Sequence, residues 1–350
     1  MSLDSIVRIT ISTQNLAMAQ AGFGTPIIIA QHDYLKQRVQ SFSNLAELFS
    51  IRDTEKEKAL PEDKQFHKHP LYLMASTLFS QNPSVPKVKI GKRLANESVT
   101  EALNNIINSD ADGDFYGVLL LPNDAKKDYV ELAQSIGSKR LLAGIDIDDT
   151  TMDIAANIAK SDGARRIFTI FKEEPSDYPA AAWMGRMLTQ APGSTSWAFK
   201  ELMGIKKSKL SSDKISKLKE AVINRHIDIN KVGVTMDGKV MSKEYIDIVH
   251  GIDWLHVRIQ ERLFRLLMIN EKIPYTLKGI DLVRSEIMAQ LKDAVYRGLL
   301  APEPEPHVST PAIEDIDPLV RGQRKLPDVC FSGRLAGAIH EIEIRGTVTT

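Results

Sequence analysis

Three aspartates follow a predicted buried strand and could do chemistry there. The strand covers residues 141–145, and Asp146, Asp148 and Asp149 come after it. In α/β enzymes, ligand-binding groups often lie at the carboxyl ends of parallel strands, and carboxylates at that place could hold Mg²⁺. Asp149 followed by Thr150 is also a good helix N-cap. We therefore favour capping, and an enzyme with a ligand site at residues 146–149 is the alternative.

A second acidic run resembles the start of a calcium-binding loop. Asp110, Asp112 and Asp114 have the spacing of the first three ligands of such a loop. Its sixth position should be glycine and its twelfth a bidentate glutamate, but Phe115 and Leu121 stand there. We predict a polar turn before a buried strand instead.

The remaining patterns each lack part of the site that they suggest. Gly22 and Gly24 lack the third glycine and the strand–helix frame of a dinucleotide-binding loop. His67 and His69 have no third metal ligand, and His250 and His256 lie on different sides of a predicted helix. The lysine-rich stretch at residues 200–219 has no interleaved aromatic side chains for base stacking. We predict no catalytic, cofactor-binding or metal-binding residues.

The composition argues against several classes of function. Of the 350 residues, 43% are hydrophobic, and 45 basic residues balance 45 acidic ones. Because there is no net charge, no overall field draws the chain to nucleic acid or to an anionic membrane. No run approaches the roughly 18 apolar residues of a membrane span, and Arg8 and Thr10 interrupt any signal-peptide core. The one cysteine, Cys330, cannot form an internal disulfide. We expect a soluble, intracellular protein.

Strands and helices alternate through the interior of the chain. Predicted helices start near Ser98, Asp124 and Thr150. The predicted strands are residues 26–30, 88–90, 116–122, 141–145 and 166–171. Alternation at these lengths indicates crossover connections and therefore a mostly parallel sheet with flanking helices.

The pattern changes after residue 193. Residues 233–240 read as a β-hairpin with Asp237 and Gly238 at its turn. Two long amphipathic helices follow, predicted at residues 242–270 and 279–297, and Gly298 is placed to cap the second.

Amphipathic strands lie at both ends of the chain. Apolar and polar residues alternate at each end, which is the pattern of a strand with one buried face. The apolar positions are Val7, Ile9 and Ile11 near the start, and Ile342, Ile344 and Val348 near the end. Neither strand has an obvious partner beside it in the sequence, and chain ends usually fray unless something holds them. We expect the two strands to pair with each other or with strands of another copy.

Several short motifs, in their order along the chain, resemble the contractile tail sheath proteins of myophages and related phage-tail-like particles. They are residues 6–11 (IVRITI), 22–26 (GFGTP), 196–202 (SWAFKEL), 251–255 (GIDWL), 273–276 (IPYT) and 334–340 (RLAGAIH). The similarity covers both ends and most of residues 196–350, while between residues 30 and 195 only the order of elements agrees. No single motif is diagnostic.

The resemblance implies a structural subunit and a division of the chain. Sheath proteins polymerise helically around a tail tube and contract to drive it through a cell envelope, and their terminal arms add strands to sheets of neighbouring subunits. The implied parts are an N-terminal arm with an exchanged strand (1–20), an α/β domain (21–195), a helical and hairpin sheath domain (196–337) and a C-terminal arm strand (338–350). The arms would complete a small α+β assembly domain.

The same resemblance implies the partners. They are other copies of the chain, a tail tube protein, and baseplate and tail terminator proteins, in a virion tail assembled in the cytoplasm of a bacterial host. The basic residues Arg321, Arg324 and Lys325 are candidates for tube contact, and an ordinary solvated loop is an equal alternative. A baseplate or capsid component is a further alternative for the whole chain.

Overall fold

The computed structural model describes residues 22–52, 60–62 and 65–348. The predicted N-terminal strand with Val7, Ile9 and Ile11 lies outside the described residues.

A six-stranded sheet forms the centre of the molecule. Its strands lie in the order β2-β3-β1-β4-β5-β6, and all neighbours are parallel except β2, which pairs antiparallel with β3 at one edge. The strands are β1 (Pro26–Gln31), β2 (Val39–Phe42), β3 (Val88–Arg93), β4 (Gly117–Leu120), β5 (Leu142–Ile147) and β6 (Ile167–Phe171). The predicted mostly parallel sheet is confirmed, and β2 is an edge strand that the sequence pattern did not indicate.

Helices cover both faces of this sheet. They are α1 (Leu45–Phe49), α2 (Pro70–Phe79), α3 (Val99–Ser109), α4 (Ala125–Ile136), α5 (Ala155–Ala159) and α6 (Pro179–Met187). Ser98 and Glu101 form the predicted capping box of α3, and the Asp124 carboxylate caps α4. The helix predicted from residue 150 to 160 is wrong in extent, because a 3₁₀ turn at Met152–Ile154 precedes the short α5.

Alternate strand residues enter two hydrophobic layers. Ile27 and Ile29 pack with the layer that contains α3, α4 and α5. Ile28 and Ala30 pack with the other layer, to which α2 and α6 contribute. Since side chains alternate along a strand and both faces are covered, β1 reads as a continuous apolar run.

The second half begins with a short helix and a hairpin. α7 (Ser212–Glu220) lies in the lysine-rich stretch, and the hairpin pairs β7 (Arg225–Ile229) with β8 (Val232–Met236). The predicted position of the hairpin is wrong: its turn is at Asn230 and Lys231, which both have positive φ. Residues 233–236 belong to the second strand of this earlier hairpin.

Two long antiparallel helices follow, as predicted. α8 (Ile246–Ile269) and α9 (Leu277–Tyr296) pack against each other, and Gly298 has the left-handed backbone (φ +80°) of a helix C-terminus. Among the described residues, no helix has both the length and the apolar character to cross a membrane.

The last described segment forms a second small sheet. β9 (His307–Ser309) pairs antiparallel with β10 (Cys330–Ser332), and α10 (Pro318–Gly322) lies between them in the chain. Beyond β10, residues 334–336 run back along residues 299–301, joined by an Ala301 N–H to Arg334 carbonyl bond and an Ala336 N–H to Leu299 carbonyl bond.

One hydrophobic layer is continuous across the predicted boundary at residues 195 and 196. Phe168 and Trp183 on one side of it pack in the same layer as Trp197, Trp254 and Leu291 on the other side. The division into an α/β domain and a C-terminal domain therefore stays a prediction, and the two parts share one core.

Candidate assembly surface

The predicted C-terminal strand has no partner within the described residues. Residues 341–348 have no regular secondary structure. Their apolar side chains are almost fully exposed: 76% for Ile342, 87% for Ile344 and 98% for Val348. Three apolar side chains at alternate positions make a stripe along one side of an extended segment. Leaving such a stripe in water is unfavourable, so the segment has the character of an interaction element.

His340 anchors this segment at its root. Its Nε2 atom lies 2.9 Å from Ser196 Oγ, and its ring packs edge-on against Phe199 and Tyr245, with centroid distances of 5.6 Å and 5.0 Å. Gly337, three residues earlier, has φ +67°. The structure thus brings together two of the motifs that carry the sequence resemblance, residues 196–202 and 334–340.

Two opposite charges lie near this anchor. Burial raises the pKa of Asp247, while the charges of His340 and Lys200 act to lower it. Burial lowers the pKa of Lys200, which the nearby Arg186 lowers further and Asp247 raises. Each of these two charges is partly shielded from water, which strengthens its interactions with nearby charges.

The β9–β10 sheet offers free edges within the described part of the chain. Among the described residues each of its strands has one strand neighbour only. Val308 is buried beneath the sheet, whereas Phe331 on the outer strand is 49% exposed. A sheet edge with unpaired N–H and C=O groups is a template for another strand.

The basic segment predicted for tube contact lies on the surface. Arg321, Arg324 and Lys325 are exposed, and none of them forms an ion pair with another described residue. The Lys325 carbonyl accepts a 2.9 Å hydrogen bond from the Tyr275 hydroxyl, which joins this segment to the loop between α8 and α9. This exposed basic segment thus lies beside the loop that joins α8 and α9.

The aspartates after β5 have structural partners. The Asp148 carboxylate accepts bonds from the backbone N–H groups of Thr150 and Thr151, and Asp149 pairs with Lys214. Asp146 is buried, and its Oδ1 accepts a 2.8 Å bond from the Ala180 N–H at the start of α6. Asp148 therefore closes a turn at residues 148–151. The predicted helix cap at Asp149 is wrong, because neither the 3₁₀ turn at Met152–Ile154 nor α5 has a side-chain cap.

The calcium-like run surrounds a lysine. The fully buried Lys89 ammonium lies 2.6 Å from Asp110 Oδ1 and 2.5 Å from Asp114 Oδ1, with the more exposed Asp112 at 3.6 Å. Burial lowers the pKa of Lys89, but the carboxylates of Asp110 and Asp114 outweigh it and hold the pKa above its usual value. The cation that these aspartates hold is part of the chain itself.

The histidine pairs are not brought together as metal ligands. His69 accepts the Leu71 N–H through Nδ1 and caps α2, while His250 is buried against Tyr116 with ring centroids 4.7 Å apart. Over the described ranges, no group of three or more His, Cys, Asp or Glu residues could hold a metal ion.

Part of the second half matches a family model. Residues 246–303, which contain α8 and α9, match the family described as E217 tail sheath protein gp31-like, C-terminal domain. No protein with curated annotation matches the chain in sequence.

Solved structures are similar over nearly the whole chain. The contracted helical sheath of the anti-feeding prophage is 13% identical with a TM-score of 0.71, over 99% of each chain. The contracted sheath complex of PVC, an extracellular contractile injection system, is 14% identical with a TM-score of 0.67, over 97% of this chain and 95% of that chain. The chain has a contractile-sheath fold. A chain of the anti-feeding prophage baseplate is also similar, at 12% identity and a TM-score of 0.69, over 98% of this chain and 99% of that one. The resemblance inferred from the sequence motifs is confirmed.

Sequence reasoning missed the roles of Lys89 and His340. A lysine between the apolar residues Val88 and Ile90 of β3 was a usable signal, because a buried ammonium needs carboxylate partners and an acidic run follows at residues 110–114. His340 stood within a recognised motif, but its partners are more than 90 residues away in sequence and only the tertiary structure brings them together.

Proposed function

We propose that this chain is the structural subunit of a contractile tail sheath, which polymerises helically around a tail tube and contracts to drive it through a cell envelope. The observation that carries the proposal is the end-to-end similarity to subunits of two contracted sheaths. The family match to the α8–α9 region supports it independently. The role is assembly, and we assign no enzymatic activity to the chain.

The arms link the subunits in this proposal. The strand with Ile342, Ile344 and Val348, and the N-terminal strand with Val7, Ile9 and Ile11, add to sheets of neighbouring copies and complete a small assembly domain. The free edges of β9 and β10 are the acceptor that fits best, since strand addition needs an unpaired edge. About six hydrogen bonds at about 0.5–1.5 kcal/mol each contribute roughly 3–9 kcal/mol per donated strand.

Such links allow contraction without disassembly. A head-to-tail contact that repeats without closing builds a helix. An extended connector covers about 3.3 Å per residue, so about ten connector residues can follow a shift of roughly 30 Å while the strand stays paired. The energy for contraction comes from a strained lattice that relaxes, and no nucleotide is needed.

The remaining partners follow from this role. The exposed cations Arg321, Arg324 and Lys325 meet an acidic surface of a tail tube protein, while baseplate and terminator proteins bind the two ends of the sheath. The particle, a phage tail or a phage-tail-like device, assembles in the cytoplasm of its bacterial host.

Negative-stain microscopy of the purified chain tests the proposal. The full chain should form tubes or long filaments, and a variant lacking residues 338–350 should form none. Normal tubes from the truncated variant would refute strand donation by the C-terminus. Discrete soluble oligomers from the full chain would refute the sheath role itself.

A baseplate ring is the second candidate, since a baseplate chain is about as similar as the sheath chains. A baseplate subunit would use the same arms, but its head-to-tail contact would close into a ring. Rings of fixed diameter with no tubes, from the full chain, would favour it.

A further inference from the structure

A polar cavity lies at the carboxyl edge of the large sheet, away from the proposed assembly surface. Its volume is about 380 Å³, and residues that follow or end β1, β4, β5 and β6 line it. β1 has β3 on one side and β4 on the other. The order of the strands therefore extends from β1 towards β3 on one side and towards β4, β5 and β6 on the other side. Open α/β sheets bind ligands in the crevice at such a place. The volume is within the range of small-molecule sites.

Three charged side chains line this cavity: Asp146, Asp148 and Lys172. The Asp148 carboxylate is used by the N–H and hydroxyl groups of Thr150 and Thr151, whereas Asp146 and Lys172 form no ion pair with any described residue. The Lys172 ammonium has a long hydrogen bond, 3.4 Å to the Pro175 carbonyl, and lies 5.9 Å from the centroid of the Tyr178 ring. The Asp146 carboxylate uses Oδ1 for the Ala180 N–H, which leaves Oδ2 without a protein donor among the described residues.

Two buried tyrosines add unused hydrogen-bonding groups. Tyr129 is 6% exposed and Tyr178 is 8% exposed, and both line the cavity. Neither hydroxyl has a hydrogen-bond partner among the residues that the structure describes. Buried hydroxyls normally have partners, so a cavity that gathers two free hydroxyls, a carboxylate and an ammonium is suited to a polar molecule.

The charges restrict the class of that molecule. A cationic ligand would leave Lys172 facing like charge, and an anionic one would face Asp146, so each would lose part of its gain. Apolar side chains, among them Met74 and Leu121, supply the rest of the wall. We infer that this cavity binds a small zwitterion of the α-amino acid type, with its ammonium on Asp146, its carboxylate on Lys172, hydrogen bonds to the tyrosine hydroxyls, and its side chain against the apolar wall.

The protonation of Asp146 gives the binding a pH dependence. Burial, with smaller contributions from the carboxylates of Asp177 and Asp148, raises the pKa of Asp146 to about 6, although Lys172 and the Ala180 N–H act to lower it. A ligand ammonium attracts only the ionised carboxylate. Affinity is therefore highest where the Asp146 carboxylate and the ligand ammonium are both charged, and it falls as the pH drops below the Asp146 pKa.

Isothermal titration calorimetry of the full chain against pooled standard amino acids tests the inference. One or more amino acids should bind at neutral pH, and the affinity should fall about tenfold or more in Asp146→Asn and in Lys172→Met. Asp146→Asn keeps an oxygen for the Ala180 N–H, so it should fold, which circular dichroism checks. Tyr178→Phe should weaken binding without abolishing it.

Asp149→Asn is the matched control, because Asp149 is on the same loop but not in the cavity wall. It should bind as the unchanged chain does, with the same loss of affinity below pH 6. Asp146→Asn should lose that pH dependence. No binding by any pool, or binding that Lys172→Met and Asp146→Asn leave unchanged, would overturn the inference. If ligand-observed NMR showed that glucose binds and amino acids do not, the ligand would not be a zwitterion.

Discussion

The Lys89 side chain is fully enclosed, and its ammonium is held between the carboxylates of Asp110 and Asp114. Removing one partner of a buried pair leaves the other charges uncompensated. We predict that Lys89→Met lowers the free energy of unfolding by about 3 kcal/mol, measured by urea denaturation. Lys126→Met, which breaks an exposed pair with Asp153, should leave that free energy close to its original value. An equal small effect in both variants would show that the buried pair is not stabilising.

The cluster of Lys89, Asp110 and Asp114 also makes the stability of the fold depend on pH in the acid range. Burial raises the pKa of Asp114, but hydrogen bonds from Lys87 and Lys89 outweigh it and hold the pKa below its ordinary value of 3.8. A carboxylate whose pKa is lower in the folded state stabilises the fold at pH values above its ordinary pKa. This stabilisation is lost as the pH falls through the folded-state pKa. The stability difference between the original chain and Lys89→Met should therefore shrink in urea titrations below that pH.

His340 sets where the C-terminal arm leaves the body, through Ser196, Phe199 and Tyr245. We predict that His340→Ala shortens the tubes seen by negative-stain microscopy, because an unanchored arm loses more conformational entropy on docking. His340→Gln keeps a hydrogen-bonding group for Ser196 and should recover part of the length. Tubes of unchanged length in His340→Ala would show that the anchor is not used in the assembly.

The C-terminal strand, as an element, has two distinct faces. Ile342, Ile344 and Val348 alternate with charged and polar residues, so a donated strand buries only one face. We predict that Ile344→Asp abolishes tubes, since an unpaired carboxylate would enter the apolar side of the acceptor sheet. Glu343→Lys changes the charge of the neighbouring residue on the other face and should still form tubes under the microscope. Loss of tubes in both variants would point to a general charge effect instead of strand donation.

How far an element could be predicted depended on whether its signal was local. The strands of the large sheet, the α3 capping box and the two long helices follow from periodicity and caps within a few residues. The helix α6 was missed because nearly all its side chains are buried, which removes the polar face that marks an amphipathic helix.

The hairpin error has a physical reason. Asp237 and Gly238 do have positive φ, as the sequence predicts for a turn. However, Asn230 and Lys231 adopt the same backbone region, and they are the two residues that join paired strands. Local sequence identified a true turn but not which strands pair across it, because pairing depends on packing against the rest of the fold. The cavity at the sheet edge was equally beyond local signals, since its residues come from the ends of four strands and from the helices beside them.

At the scale of the whole molecule, a buried polar contact joins the large sheet to the helical half. Asp253 in α8 accepts a 2.8 Å hydrogen bond from the Tyr116 hydroxyl and pairs with Arg166. Tyr116 precedes β4 and Arg166 precedes β6, so this contact fixes α8 against two strands. The hydrophobic layer around it is also continuous from one half to the other.

Because the two halves share this core, we predict that the chain unfolds in one step. Tryptophan fluorescence and far-ultraviolet circular dichroism should give coincident urea transitions in the absence of tubes. Asp253→Ala should move both transitions together, by about 3 kcal/mol, because it strands the Tyr116 hydroxyl and the Arg166 charge. Glu244→Gln removes an exposed pair with the neighbouring Arg165 and should move neither. Two separate transitions, with Asp253→Ala shifting only one of them, would instead show that residues 21–195 and 196–337 are independent domains. That result would contradict a single core shared by the two halves.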